Sequence, residues 1–145
     1  MGILNYTTDV AVSKTAGEIQ GILARRGVTR ISTLLDGDGN PFGLGFTLVT
    51  DYGVAEFELP VNVDGVFAAM SEDESIRKGL RTREQAAKAA WRIAKTWLEA
   101  QAALIDARLA TMDQVMMPFM VDSKGRTAYE VLRTERLRML DAAED

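Results

Sequence analysis

The feature that most constrains the fold is a run of 28 residues, Arg83 to Ala110, that contains neither glycine nor proline. The run is rich in alanine, and Thr82 and Gln85 at its start have the spacing of a capping box. The sequence therefore predicts one helix from Arg83 to about Ala110, which at 1.5 Å per residue is roughly 40 Å long. Such a helix is longer than a small sheet can cover.

The distribution of polar and apolar residues around this helix indicates what packs against it. Arg92, Lys95 and Glu99 fall on one polar stripe, and nearly all the remaining positions are apolar. The apolar sector is wider than the third of the circumference that a surface helix buries. We therefore expect burial on two sides, against the sheet of the same chain and against a partner chain. This predicts a homodimer or a larger assembly, with the long helix as the oligomer interface.

Residues 28–59 have the pattern of a three-stranded antiparallel meander. Val28 to Leu35 is rich in β-forming residues, and the turn residues from Asp36 to Pro41 follow it. Apolar residues then alternate with small or polar ones through Leu48 and again from Ala55 to Leu59. The glycines of the middle strand indicate a twist or bulge, or the close approach of another group. The turn copies the opening of a calcium-binding loop but lacks its later ligands, so a hairpin turn is the favoured interpretation.

The remaining chain divides into short helices and linkers within a single domain. Predicted helices span Thr15 to Arg26, with Thr15 and Glu18 as a capping box, Val63 to Met70, Met112 to Met116, and Thr127 to about Leu140. We expect the sheet and first helix in residues 1–70, a solvated linker in 71–80, a helical part in 81–140 and an acidic tail in 141–145. The expected fold class is α+β.

The composition excludes several kinds of chemistry. The chain has no cysteine and no histidine, which removes thiolate and imidazole nucleophiles, bases and zinc ligands. The net charge of −4 argues against binding of duplex DNA or RNA, which needs a basic surface. The sequence shows no signal peptide and no membrane-spanning run, so we expect a protein of the cytoplasm with no cofactor.

The candidate binding residues are aromatic and basic. Trp91 and Trp97 could stack on a flat ligand ring, although packing is the favoured interpretation. Arg92 and Lys95 could hold an anion, or they could lie on a solvated face. Arg81 and Arg83 belong to a basic run ahead of a helix start, where an anion is favoured, although such runs are commonly only solvated. Glu99 and Asp106 are the weakest candidates, as an acid–base pair.

The order of these features resembles a family of small proteins encoded by tailed phages and prophages. The residues that carry the resemblance are Asn5-Tyr6-Thr7-Thr8, Lys14-Thr15 with Glu18-Ile19, Phe57-Glu58-Leu59-Pro60, Ala90-Trp91-Arg92-Ile93 with Lys95, Trp97 and Glu99-Ala100-Gln101, Pro118-Phe119, and Gly125-Arg126-Thr127 with Tyr129-Glu130. Thr96 departs from the pattern, since many relatives have an acidic residue there. The resemblance implies a phage accessory protein that acts in the host cytoplasm. Such proteins often counter host defence, and one class of them is a stable oligomer that sequesters nucleotide signals without cleaving them.

These observations lead to one main hypothesis and two alternatives. The main hypothesis is a non-enzymatic homo-oligomer that binds an anionic, nucleotide-like ligand at a subunit seam. Its predicted ligand-binding residues are Tyr6, Trp91 and Phe119 for the base, and Arg81, Arg83, Arg92 and Lys95 for phosphate. The first alternative is a protein-interaction module that inhibits or adapts a host or phage protein. The second is an enzyme that uses carboxylates and a hard metal ion.

Overall fold

The computed structural model describes residues 2–144 and has the expected α+β architecture. The helices are α1 (Val12–Ala24), α2 (Val63–Glu72), α3 (Arg83–Asp106), α4 (Met112–Met116) and α5 (Ala128–Glu144). The strands are β1 (Val28–Leu35), β2 (Pro41–Thr50), β3 (Gly53–Pro60) and β4 (Met120–Val121). Short 3-10 turns cover Lys78–Leu80 and Met117–Phe119.

The sheet contains the predicted meander and one additional strand. Its order is β1-β2-β3-β4, and each neighbouring pair is antiparallel. The additional strand, β4, has only two residues, which pair with Glu56 and Phe57 of β3. A pair of residues is too short to produce an alternating pattern, which is why the sequence did not predict this strand.

Steric constraints explain the two glycines in β2. A Cβ atom added at Gly43 would lie 2.6 Å from the backbone oxygen of Leu59, closer than real Cβ atoms approach. One at Gly45 would lie 3.1 Å from the Ser32 hydroxyl of β1, and the β1–β2 register shifts between Thr29 and Ser32. Both expected causes, an irregularity and a close approach, are therefore present.

One main core joins the sheet to α1 and α3. Phe46 and Phe57 stack on the covered face of the sheet, with ring centroids 5.2 Å apart. Trp91 and Leu98 of α3 belong to the same buried cluster, as does Ile19 of α1. The aromatic and aliphatic side chains of three elements therefore form one continuous core.

Most of the wide apolar sector of α3 is covered within the chain, while Ala100, Ala103 and Leu104 near its end are exposed. α1 and α2 both pack against α3, and the alanines Ala86, Ala89 and Ala90 are buried at these contacts. Alanine lets another helix backbone come close, which explains the composition of the sector. Most of its width is therefore accounted for without a second chain, and an oligomer interface on α3 remains a prediction.

The segment 71–80 is more ordered than a solvated linker. Ile76 is 1% exposed and packs with Met70, Ala86 and Ala89 in a second, smaller core. Arg81 donates hydrogen bonds to the backbone oxygens of Ile76 and Glu74, at 2.6 and 3.2 Å. One buried isoleucine and one arginine therefore tie to the fold a segment that the sequence predicted to be a solvated linker.

Two predicted helix boundaries are wrong. α1 begins at Val12, and its N-cap Ala11 makes no side-chain cap. Thr15, predicted to be the cap, is completely buried inside the helix. α3 ends at Asp106, because Arg108 adopts a left-handed φ of 62° that the alanine-rich sequence did not reveal.

α5 is the least covered helix. Thr127 caps it by accepting a hydrogen bond from the Glu130 N–H at 3.2 Å, as the sequence predicted. Every side chain from Tyr129 to Ala143 is exposed. The helix also continues through Glu144, so most of the predicted acidic tail is helical, while residue 145 of that tail lies outside the described residues.

Candidate functional site

A deep groove lies where three helices begin. Its volume is about 950 Å³, and its walls come from the starts of α1, α2 and α3, the β1–β2 turn and the end of β3. Val12, Phe42, Val61, Val63 and Ala87 supply apolar surface. Small-molecule sites are typically concave, with a mostly apolar lining and a few polar groups, in this range of volume.

The β1–β2 turn forms one end of the groove. The Asp36 carboxylate accepts hydrogen bonds from the backbone N–H groups of Asp38 and Asn40, both at 2.9 Å. This contact supports the interpretation of the stretch as a hairpin turn. Asp36 and Asn40 also line the groove and provide oxygens and an amide at its rim.

Phe42 is the aromatic side chain of the groove. It is 41% exposed, and its backbone oxygen accepts a hydrogen bond from the Val61 N–H at 2.7 Å. The next residue, Gly43, allows β2 to lie close to β3. The backbone of Phe42 is therefore held in place while its ring faces the groove.

Arg83 and Lys88 are the basic residues of the rim. Arg83 forms an exposed ion pair with Asp64, and its guanidinium lies 5.6 Å from the centroid of the Phe67 ring. Lys88 lies 4.0 Å from Glu84, one helical turn away. Exposed pairs of this kind contribute little stability, so a ligand can replace the carboxylate partner at small cost.

Arg92 and Lys95 lie in a different place, the contact between α1 and α3. The Lys95 ammonium lies 2.5 Å from the Glu18 carboxylate, and the Arg92 guanidinium lies 3.4 Å from the same oxygen. The hydrogen bond from Lys95, reinforced by the charges of both basic groups, holds the pKa of Glu18 below its ordinary value. α1 of the same chain therefore lies over Arg92 and Lys95, the basic residues of the polar stripe. A shallower groove beside it is lined by Glu18, Lys95 and Glu99.

The predicted aromatic residues are also distributed along the molecule. Trp91 is completely buried in the main core, so it offers no ring face to a ligand in this conformation. Its indole nitrogen has no hydrogen-bond partner among residues 2–144. Phe119 packs edge-on against Trp97, with centroids 5.9 Å apart, and Tyr6 packs against the second core.

The structure thus separates the seven predicted site residues. Arg83 lines the large groove. Arg81 ties the preceding segment to the start of α3. Trp91, Phe119 and Tyr6 pack in or against the two cores, and Arg92 and Lys95 lie at the α1–α3 contact. The sequence missed Phe42 and Lys88. It did show the helix cap Thr82, but it gave no signal that the starts of α1, α2 and α3 meet.

The two carboxylates of the enzyme alternative are engaged separately. The Asp106 carboxylate accepts hydrogen bonds from Arg26 at 2.7 and 3.2 Å, and Glu99 lies 3.6 Å from Lys95. Within residues 2–144, no three carboxylates gather in an arrangement that could hold a metal ion. Over the same residues, no helix has both the length and the apolar character needed to cross a bilayer.

Comparisons of the chain with protein-family models, with curated proteins and with solved structures find no match. The geometry of the groove and the chemistry of its side chains therefore carry the functional interpretation.

Proposed function

We propose that the protein binds a small, anionic, nucleotide-like molecule without transforming it, and that the groove at the three helix starts holds this molecule. The observation that carries the proposal is the combination, in one groove, of an exposed aromatic ring, Phe42, with two cations, Arg83 and Lys88. An aromatic face stacks on a flat base, and a guanidinium can grip phosphate oxygens through two parallel hydrogen bonds.

The other polar groups of the rim fit the rest of such a ligand. Asp36, Asp64 and Glu84 can accept hydrogen bonds from sugar hydroxyls, and the Asn40 amide can both donate and accept at a base edge. These three carboxylates outnumber the two cations, so the proposed ligand carries few charges and has a polar neutral part. A mononucleotide or a cyclic dinucleotide fits this description better than a triphosphate.

The biological part of the proposal comes from the resemblance to small phage proteins. A chain without histidine or cysteine lacks the side chains that most often activate a nucleophile. Binding without turnover supports sequestration of a host nucleotide signal as the role, with the host cytoplasm as its place. Under the protein-interaction alternative, the surfaces that could bind a partner are the edge strand β1 and the exposed helix α5. α1 and α2 cover most of the apolar face of α3.

Calorimetric titration of the full chain against a panel of cyclic and linear nucleotides tests the proposal. We expect saturable heat with at least one member of the panel. Arg83→Ala and Lys88→Ala should each weaken that binding by about tenfold or more, because each removes a charge-assisted hydrogen bond.

Arg25→Ala is the matched control. Arg25 is an exposed cation just after the last residue of α1, whereas Val12 at the first turn lines the groove. This substitution should leave the affinity unchanged. The absence of heat and of a thermal shift across the whole panel would contradict the proposal, as would equal losses in the Arg83 and Arg25 variants.

A further inference from the structure

Each of the two cations at the rim of the ligand groove has a carboxylate beside it that lines the same groove. Arg83 is paired with Asp64, and Lys88 lies near Glu84. Both carboxylates stand in the first turn of a helix, Asp64 in α2 and Glu84 in α3. An anion that enters the groove therefore meets a negative charge of the protein next to each cation.

The two contacts differ in closeness. The Arg83 guanidinium donates a direct hydrogen bond to the Asp64 carboxylate. The Lys88 ammonium lies 4.0 Å from the Glu84 carboxylate, which is too long for a hydrogen bond, and the Glu84 side chain is 85% exposed. Hydrogen bonds between ionised partners are the strong ones among polar contacts. A carboxylate therefore occupies Arg83, whereas Lys88 is nearly free to meet an anion.

Arg83 is the fixed member of its pair. Its guanidinium lies 5.6 Å from the centroid of the Phe67 ring, and Phe67 packs against the second core. A cation over an aromatic ring is attracted to the face of that ring. The Asp64 side chain is short and 78% exposed, so it can turn into water. When an anion reaches Arg83, the carboxylate is therefore the group that moves away.

We propose that Asp64 is an intramolecular competitor for the phosphate of the ligand: it holds Arg83 until the phosphate replaces it. This competition weakens the binding of every anion by the same factor. Free phosphate has few other contacts and is kept out, whereas a nucleotide that also stacks on Phe42 stays bound. The inference rests on the proposed function for the identity of the ligand, and it adds the residue that sets the affinity of the groove.

NMR titration of the isotopically labelled full chain with inorganic phosphate tests the competition, with the backbone amide signals of Arg83 and Lys88 as the readout. Inorganic phosphate carries no sugar or base, so the measurement reports the contacts with the two cations. Asp64→Asn should lower the phosphate dissociation constant by about fivefold, because an exposed ion pair weakens a competing anion by about this factor at most. Circular dichroism checks that the variant keeps the helix content of the wild type.

Glu84→Gln is the matched control. It removes one negative charge from the same groove and from the same turn of a helix, but Glu84 makes no hydrogen bond to Lys88. This substitution should lower the phosphate dissociation constant by about twofold or less, because exposed charges that are not in contact are screened by salt. Equal tightening in the two variants would overturn the proposal, as would an Asp64→Asn variant that binds phosphate no better than the wild type.

An Arg83→Ala background separates the competition from the change in charge. In this background phosphate binds through Lys88, and the Lys88 amide signal reports it. Asp64→Asn should then tighten phosphate binding no more than Glu84→Gln does. An effect of Asp64→Asn that survives the loss of Arg83 in full would show that Asp64 does not act through Arg83, and would overturn the proposal.

A nucleotide panel distinguishes a failure of this inference from a failure of the proposed function. The ribonucleoside monophosphates, cyclic di-AMP and cyclic di-GMP are titrated calorimetrically into the wild type and into Asp64→Asn. Nucleotide binding that Asp64→Asn does not tighten would overturn the competition and leave the proposed function intact. Tighter binding of inorganic phosphate in Asp64→Asn, with no nucleotide bound by either protein, would contradict the proposed function and support the competition.

Discussion

α3 and α5 are both amphipathic helices, yet the rest of the chain covers most of the apolar face of α3 and leaves that of α5 exposed. α3 has the wider apolar sector, and α1, α2 and the main core cover it. α5 has a narrower face, and every side chain from Tyr129 to Ala143 remains exposed. The width of an apolar sector therefore does not reveal whether its partner is internal or external; the positions of the neighbouring elements decide this.

Polar contacts also tie α3 to the segment that includes α1, in addition to the apolar packing. Lys95 and Arg92 bind Glu18 of α1, and Arg26 binds Asp106 further along α3, so α1 and α3 run parallel and are tied at two points. α5 has its own cap and a short contact with the turn at Met117–Phe119. The sequence predicted the oligomer interface on α3, whereas α5 presents five large exposed apolar side chains on one half of its circumference.

The largest expected effect comes from removing a core side chain of α3. Trp91→Ala deletes a completely buried indole and should lower the free energy of unfolding by about 3–5 kcal/mol. Met139→Ala on α5 removes an exposed side chain and should change the stability of the dilute monomer by at most about 0.5 kcal/mol. Urea denaturation monitored by circular dichroism measures both values. Equal losses in the free energy of unfolding for the two variants would contradict the difference in burial between the two helices.

A smaller effect is expected where α3 holds the start of the chain. The Gln85 amide donates hydrogen bonds to the backbone oxygens of Tyr6 and Thr8, at 2.8 and 2.6 Å. Gln85→Ala should cost about 1–2 kcal/mol, because it removes both bonds and leaves two carbonyl groups without this partner. Gln101→Ala on the same helix is the control and should cost less, since within residues 2–144 no such bonds tie its side chain to another segment. A Gln85 variant as stable as the control would contradict this role.

The smallest effect depends on pH and concerns the contact between α1 and α3. The hydrogen bond from Lys95 lowers the pKa of Glu18 from 4.5. Because the folded pKa is the lower one, the ionised carboxylate stabilises the fold above pH 4.5, and this contribution is lost as the pH falls through the folded pKa. The difference in urea midpoint between wild type and Glu18→Gln should therefore be constant near neutral pH and shrink in acid.

The same substitution in a Lys95→Met background serves as the control for the pH series. There Glu18 has lost its principal partner, so most of the pH dependence of the difference should disappear. A difference that persists unchanged in acid, or one that survives the loss of Lys95, would contradict the assigned contact.

The local patterns of the sequence were sufficient for most of the fold. The alternation in residues 28–59 predicted the meander, and Thr82 and Thr127 marked two helix starts correctly. Gly/Pro-free composition predicted α3 but not its end, because the left-handed φ of Arg108 has no residue signature. Periodicity and capping are local properties and can therefore be read from neighbouring residues.

The site was less predictable because it depends on contacts between distant segments. Phe42 and Lys88 are 46 positions apart and share a groove only because β2 begins near the start of α3. The basic stripe of α3 was visible, but the approach of Glu18 from α1 was not. Residue type indicated which side chains could bind an anion, and tertiary packing decided which of them face a groove.

Hydrogen–deuterium exchange at two protein concentrations tests the contrast between the helices most directly. Amides in the middle of α3 should be protected equally at low and at high concentration, because their cover lies within the chain. Amides in the middle of α5 should exchange rapidly at both concentrations, because no described residue covers this helix. Protection of α5 as strong as that of α3, or protection of α3 that changes with concentration, would contradict the account.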